Sequence, residues 1–135
     1  MPIKSKNSRR PLILLVEDDT FLAGMYVTKL TMETYQAELA TDGKLGLEKA
    51  RKLKPNLILL DILLPKMNGF EVLHQLKDDP ATRDIPVILL TNLGQKSDVL
   101  RGLDLGATDY LIKAHFMPSE VIDKIKHTLA ASKQT

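Results

Sequence analysis

From Pro11 onward, short apolar runs alternate with stretches whose apolar residues recur at helical spacing, and the pair repeats five times. The strand candidates are Leu12 to Val16, Ala37 to Ala40, Leu57 to Leu60, Val87 to Leu90 and Tyr110 to Ile112. Most are continuous apolar runs rather than alternating ones, the pattern of strands covered on both faces. In the first helical stretch Leu22, Met25, Tyr26 and Leu30 share a face, and Asp19 or Thr20 stands where a cap is needed. The second, roughly Lys44 to Leu53, turns Leu47, Ala50 and Leu53 inward and is stopped by Pro55. The third runs from about Phe70 to Lys77 with Phe70, Leu73 and Leu76 inward, and ends in the turn Asp78, Asp79, Pro80. Val99 and Leu103 face inward in the fourth, which stops near Gly106, and the last starts around Pro118 and Ser119 and buries Val121, Ile122, Ile125 and Leu129. This alternation predicts an α/β fold, a parallel sheet with right-handed crossovers and helices on both faces. In open sheets of this kind the chemistry sits beyond the carboxyl ends of the strands.

Every one of those ends but the second carries a candidate group. Glu17, Asp18 and Asp19 follow the first strand, Asp61 the third, Thr91 the fourth and Lys113 the fifth. Any single one is explained by a strand reaching solvent; together they fit a chemical site. Carboxylates brought from the first and third strands into one small volume repel each other unless a cation neutralises them. Carboxylates, a backbone carbonyl and water suit Mg2+. A carboxylate is also a nucleophile towards phosphorus, and Asp61 stands alone at its strand end. Phosphoryl transfer needs cations and donors on the equatorial oxygens, which Mg2+, Lys113 and the Thr91 hydroxyl would supply.

Composition narrows the field. The sequence has no cysteine, which removes disulfides and thiolate metal sites, and His74, His115 and His127 are scattered without partners at metal or triad spacing. No stretch is apolar enough for a signal-peptide core or a membrane span, and the expected compartment is the cytoplasm. The net charge of +2 hides an asymmetry: Lys4, Lys6, Arg9 and Arg10 all fall in the first ten residues, which hold no acidic side chain. The rest of the chain is slightly acidic, so a nucleic-acid interface would rest on that tail alone, and none is expected. The expected organisation is a flexible basic tail over residues 1–10, one domain over 11–131 and a short tail over 132–135.

The segments LILLVEDD, LILLDILLPKMNGFEVL, VILLT and GATDYLIK, in this order and spacing, resemble the receiver domains of two-component response regulators, including the chemotaxis-type single-domain proteins. The resemblance spans about Leu12 to Leu129. It implies a flavodoxin-like, doubly wound five-stranded sheet of order 2-1-3-4-5. It also implies that Asp18 and Asp61 bind Mg2+ directly, that the Leu63 backbone carbonyl is a further ligand, and that Glu17 acts through water. Asp61 would be the phosphorylation site, Thr91 the switch hydroxyl, Lys113 the phosphate-binding cation and Tyr110 the switch aromatic; by pattern alone Tyr110 reads as a core aromatic. Asp19 would cap the helix, while Pro65 and Gly69 shape the loop, glycine because the chain turns tightly. The implied phosphodonor is a histidine kinase or a histidine phosphotransfer protein, and the implied output is a changed binding surface for a downstream protein.

Two positions depart from the family pattern. Ala114 stands where proline usually follows the lysine, and Asn92 where a small residue usually follows the threonine. Without proline, the Lys113–Ala114 peptide is expected to be trans, since a non-proline cis bond costs about 3 kcal/mol. By the same resemblance, Leu63 and Leu93 border the approach of a hydrolytic water and cannot hydrogen-bond it, so a slow loss of phosphate is expected. The competing readings are a Mg2+-dependent phosphohydrolase, which lacks the expected second acid because Ile62 and Leu63 follow Asp61, and a phosphorylation-independent relative, opposed by the intact Glu17, Asp18, Asp61, Thr91 and Lys113 set. Only six residues follow Leu129, so the output is expected to act through a partner unless the chain is a fragment of a larger regulator.

Overall fold

The computed structural model describes residues 10–133; the basic tail at Lys4, Lys6 and Arg9 lies outside the described residues. Strands β1 (Leu12–Val16), β2 (Gln36–Ala40), β3 (Leu57–Leu60), β4 (Val87–Thr91) and β5 (Asp109–Ile112) form one sheet of order β2-β1-β3-β4-β5, and every pairing is parallel. Between and after them come α1 (Thr20–Met32), α2 (Gly43–Leu53), α3 (Gly69–Asp78), α4 (Lys96–Asp104) and α5 (Pro118–Lys133), with a short 3-10 turn, Lys113–His115, after β5. The doubly wound sheet and its strand order are those expected from the sequence.

Strand periodicity divides the core in two. Leu14, Val16, Ile58, Leu60, Val87 and Leu89 point to the face covered by α2 and α3, where they meet Leu47, Ala50, Phe70, Leu73 and Leu76. Ile13, Leu15, Leu57, Leu59, Ile88 and Leu90 point the other way, onto Ala23, Tyr26 and Leu30 of α1 and Val121, Ile122 and Ile125 of α5. The continuous apolar runs of β1, β3 and β4 thus serve two cores. Coverage is incomplete on the sheet edges: Gln36 to Leu39 and three residues of β5 are half-buried.

The helices begin where short polar side chains can accept from their first free N–H groups. Asp19, not Thr20, caps α1 by accepting from Leu22 N–H at 3.1 Å, Asp42 caps α2 and Asn68 caps α3. Two expected inward residues are exposed instead. Leu53 is the last residue of α2, one short of Lys54 at φ 47°, and the burial passes to Pro55. Leu103 is 44% exposed because Gly102 is the buried residue of α4, facing Leu89 and Tyr110, and the next residue on a helix is turned about 100° away. No described peptide bond is cis, so Lys113–Ala114 is trans, as expected.

Candidate functional site

The carboxyl ends of β1, β3, β4 and β5 and their loops bring together the groups that the sequence placed there. Parallel pairing puts the last residues of β1 and β3 side by side, Val16 opposite Leu60, and the Asp61 N–H donates to the Val16 carbonyl at 3.0 Å. Glu17 and Asp61 therefore leave adjacent strands at the same level. Carboxylate oxygens of Glu17, Asp18 and Asp61 all lie within 4.8 Å of one another. Glu17 and Asp61 are buried, whereas Asp18 is exposed at the rim.

Lys113, brought by the end of β5, closes the cluster. Its Nζ lies 2.6 Å from Glu17 Oε1 and 2.7 Å from Asp61 Oδ2. The other Asp61 oxygen, Oδ1, accepts from the N–H groups of Ile62 at 2.7 Å and Leu63 at 3.3 Å. Glu17 Oε2 accepts from the Asp19 N–H at 3.1 Å. Burial pushes the Glu17 carboxyl above its ordinary 4.5, with the Asp61 charge acting in the same sense against the Lys113 and Asp19 hydrogen bonds. Burial pulls the Lys113 ammonium down, but its bonds to Asp61 and Glu17 outweigh this and hold it above its ordinary value. One ammonium bonded to two of three clustered carboxylates leaves a concentration of hard oxygen donors, and this donor set fits a hard divalent cation such as Mg2+.

Thr91 is fully buried at the end of β4, and its Oγ1 accepts from the Leu93 N–H at 3.3 Å. Tyr110 is half-buried at the start of β5, with its ring against Gly102 and its hydroxyl donating to the Leu93 carbonyl. Burial, reinforced by the charges of Asp98 and Asp61, pushes the Tyr110 hydroxyl up to about 12. The backbone of Leu93 thus joins the threonine to the tyrosine, a link that no sequence pattern displays because it uses main-chain atoms only. Leu63 extends into solvent, and the partly buried Leu93 side chain packs against the core on the side of Leu89 and Tyr110. Gly69 serves the site through close approach rather than a tight turn: a Cβ there would lie 2.2 Å from the Asp61 carbonyl oxygen. The three histidines are exposed and apart from the cluster.

The family model for the response regulator receiver domain matches residues 13–126. The chain is 41% identical over 119 residues to the DNA-binding dual master transcriptional regulator RpaA of Synechocystis, a match covering 88% of this chain and 49% of that protein, so the chain spans about half the length of this relative. A CheY-like receiver domain protein from Methanospirillum hungatei superposes with a TM-score of 0.87 at 30% identity, covering 93% of this chain and 98% of the other. The Mn2+-bound form of response regulator Rcp1 superposes with a TM-score of 0.73 at 31% identity, covering 81% and 85%. With a continuous family match, the shared sheet order and the acidic cluster at the strand ends, the chain belongs to the response regulator receiver domains, the phosphorylation-dependent signalling family.

Proposed function

We propose that Asp61 is the phosphoacceptor of this receiver and that a divalent cation, Mg2+ by donor chemistry, assists the transfer. The observation that carries the reading is the convergence of Glu17, Asp18 and Asp61 oxygens within 4.8 Å, with Lys113 Nζ 2.7 Å from Asp61. Asp18, Asp61 and the Leu63 carbonyl would hold the cation, with Glu17 acting through water. When bound, the cation neutralises the carboxylates and the charge on the incoming phosphoryl oxygens. A carboxylate oxygen of Asp61 forms the new P–O bond as the P–N bond of a donor phosphohistidine breaks, and the imidazole nitrogen keeps the electron pair of the broken bond. Lys113 then exchanges a carboxylate partner for a phosphoryl oxygen, and the Thr91 hydroxyl donates to another. Drawing Thr91 towards the phosphoryl group pulls on the Leu93 N–H and, through the Leu93 carbonyl, on Tyr110.

The donor is a histidine kinase or histidine phosphotransfer protein, and the output is a changed surface around Tyr110 and α4 for a downstream protein. The functional unit is residues 11–131, placed in the cytoplasm; among the described residues no helix is long and apolar enough to cross a membrane. The test is intact mass after incubation with acetyl phosphate and Mg2+. A single phosphoryl adduct is expected in the wild type and none in Asp61→Asn or in EDTA. An adduct in Asp61→Asn, or equal labelling in EDTA, overturns the assignment.

A further inference from the structure

The side of the site nearest α2 is closed by backbone. The loop between β3 and α3 leaves Asp61 and closes at its base, where the Gly69 N–H donates to the Ile62 carbonyl at 2.8 Å. Its tip, residues 65–67, stands against the first turn of α2. The Gly43 N–H donates to the Pro65 carbonyl at 3.2 Å, and that carbonyl also accepts from the Met67 N–H at 2.8 Å. Gly43 is buried, and a Cβ there would lie 1.8 Å from the Met67 carbonyl oxygen and 2.7 Å from its carbon. Lys66, in the middle of the tip, has a φ of 69°, and its ammonium lies 3.7 Å from Asp42 Oδ2. Asp42 in turn caps α2 by accepting from the Leu45 N–H at 2.7 Å. The turn before α2 and the loop after β3 are therefore one unit, seated by a contact that only a hydrogen at position 43 allows. Gly46, one turn further on, differs: a Cβ there would meet Val16 Cγ1 at 2.8 Å, a side-chain contact within the core.

We propose that Gly43 is a positioning residue for the phosphoacceptor site, because seating the loop tip on α2 fixes the run Ile62–Leu63. The N–H groups of that run hold Asp61 Oδ1. Its Leu63 carbonyl is the backbone ligand in the cation reading of the site, on which this inference rests. A methyl group at position 43 has to push the Met67 carbonyl back by about 1.6 Å to reach an ordinary contact. The loop is short and closed at its base, so the displacement passes to Leu63. Coupling between two sites is reciprocal. A cation that orders the Leu63 carbonyl therefore also slows opening of the Gly43–Pro65 hydrogen bond.

Two measurements test this. In the wild type, amide hydrogen exchange at Gly43 should slow several-fold when EDTA is replaced by saturating Mg2+, while exchange at Gly46, whose N–H donates to the Asp42 carbonyl at 3.0 Å, should not change. In variants, Gly43→Ala should weaken Mn2+ binding, read by electron paramagnetic resonance, on the order of ten-fold. Gly46→Ala should lower the thermal midpoint and leave Mn2+ affinity near that of the wild type. Gly43 exchange that is indifferent to Mg2+, or Mn2+ binding in a folded Gly43→Ala as tight as in the wild type, overturns the inference alone. If Gly43→Ala does not fold, the wild-type exchange decides. A wild type that binds neither ion overturns the cation reading and this inference with it.

Discussion

Glu17 shows at the scale of a residue how a buried carboxylate opposes stability. Its carboxylate is buried beside that of Asp61, and burial raises it above its ordinary value, so the fold disfavours its charged form. A neutral isostere removes that penalty. Glu17→Gln should raise the thermal midpoint measured in EDTA by a few degrees, roughly the effect of 1 kcal/mol, and should weaken Mg2+ binding measured by calorimetry. A lower midpoint in EDTA would show that the 2.6 Å pair with Lys113 outweighs the desolvation of the carboxylate. Leu63 and Leu93 make a second residue-scale case. Neither side chain can orient a water for attack on the phosphoryl group, and positioning is a large part of such catalysis. After removal of the donor, the double variant Leu63→Asn, Leu93→Glu should lose phosphate about ten-fold faster than the wild type at fixed Mg2+. Equal or slower loss would mean that these leucines do not govern the access of water.

Among the elements, β4, β5 and the loop after β4 carry the link that the proposed switch would use. Thr91 and Tyr110 sit on neighbouring strands, and the main chain of Leu93 bonds both hydroxyls. Tyr110 is held protonated, with its hydroxyl up at about 12 against an ordinary 10. The sign follows: the fold favours the protonated phenol, so its contribution to stability is full below pH 10 and is lost as pH rises through about 12. A spectrophotometric titration of the wild type against Tyr110→Phe should show one phenol missing from the highest-pH part of the curve. If the missing phenol instead titrates near 10, the hydroxyl is not seated on Leu93 in solution. The same element explains why Leu103 misled the helical pattern. On α4 the sheet contact is made by a glycine that admits the Tyr110 ring, and apolar periodicity cannot register a buried residue without a side chain.

For the molecule as a whole, the proposed cation site would couple folding to cation binding. A ligand that binds only the folded chain stabilises it by mass action, about 2.7 kcal/mol at a free concentration of one hundred times Kd. The thermal midpoint should therefore climb with Mg2+ and fall back on adding EDTA. Asp18→Lys should abolish most of that climb, and Asp19→Lys should abolish less of it, because Asp19 points its carboxylate at the Leu22 N–H of α1 rather than into the cluster. Equal losses in the two variants would place the cation nearer the helix start than the cluster does.

The sequence alone determined the βα alternation, the strand order implied by its family motifs, and the residues at the strand ends. These are legible because burial on both faces writes continuous apolar runs, and because polar residues directly after such runs stand out. Four consecutive apolar residues such as Leu57 to Leu60 are also good helix formers, so their state as a strand was readable only from their shortness and from Pro55 and Asp61 on either side. Tertiary structure alone decided that Lys113 bridges Glu17 and Asp61, that Leu93 links Thr91 to Tyr110, and that Gly43 seats the tip of the loop after β3. Each of these depends on distances between chain segments far apart in sequence. Two of them use backbone atoms, which every residue shares and no sequence pattern can mark.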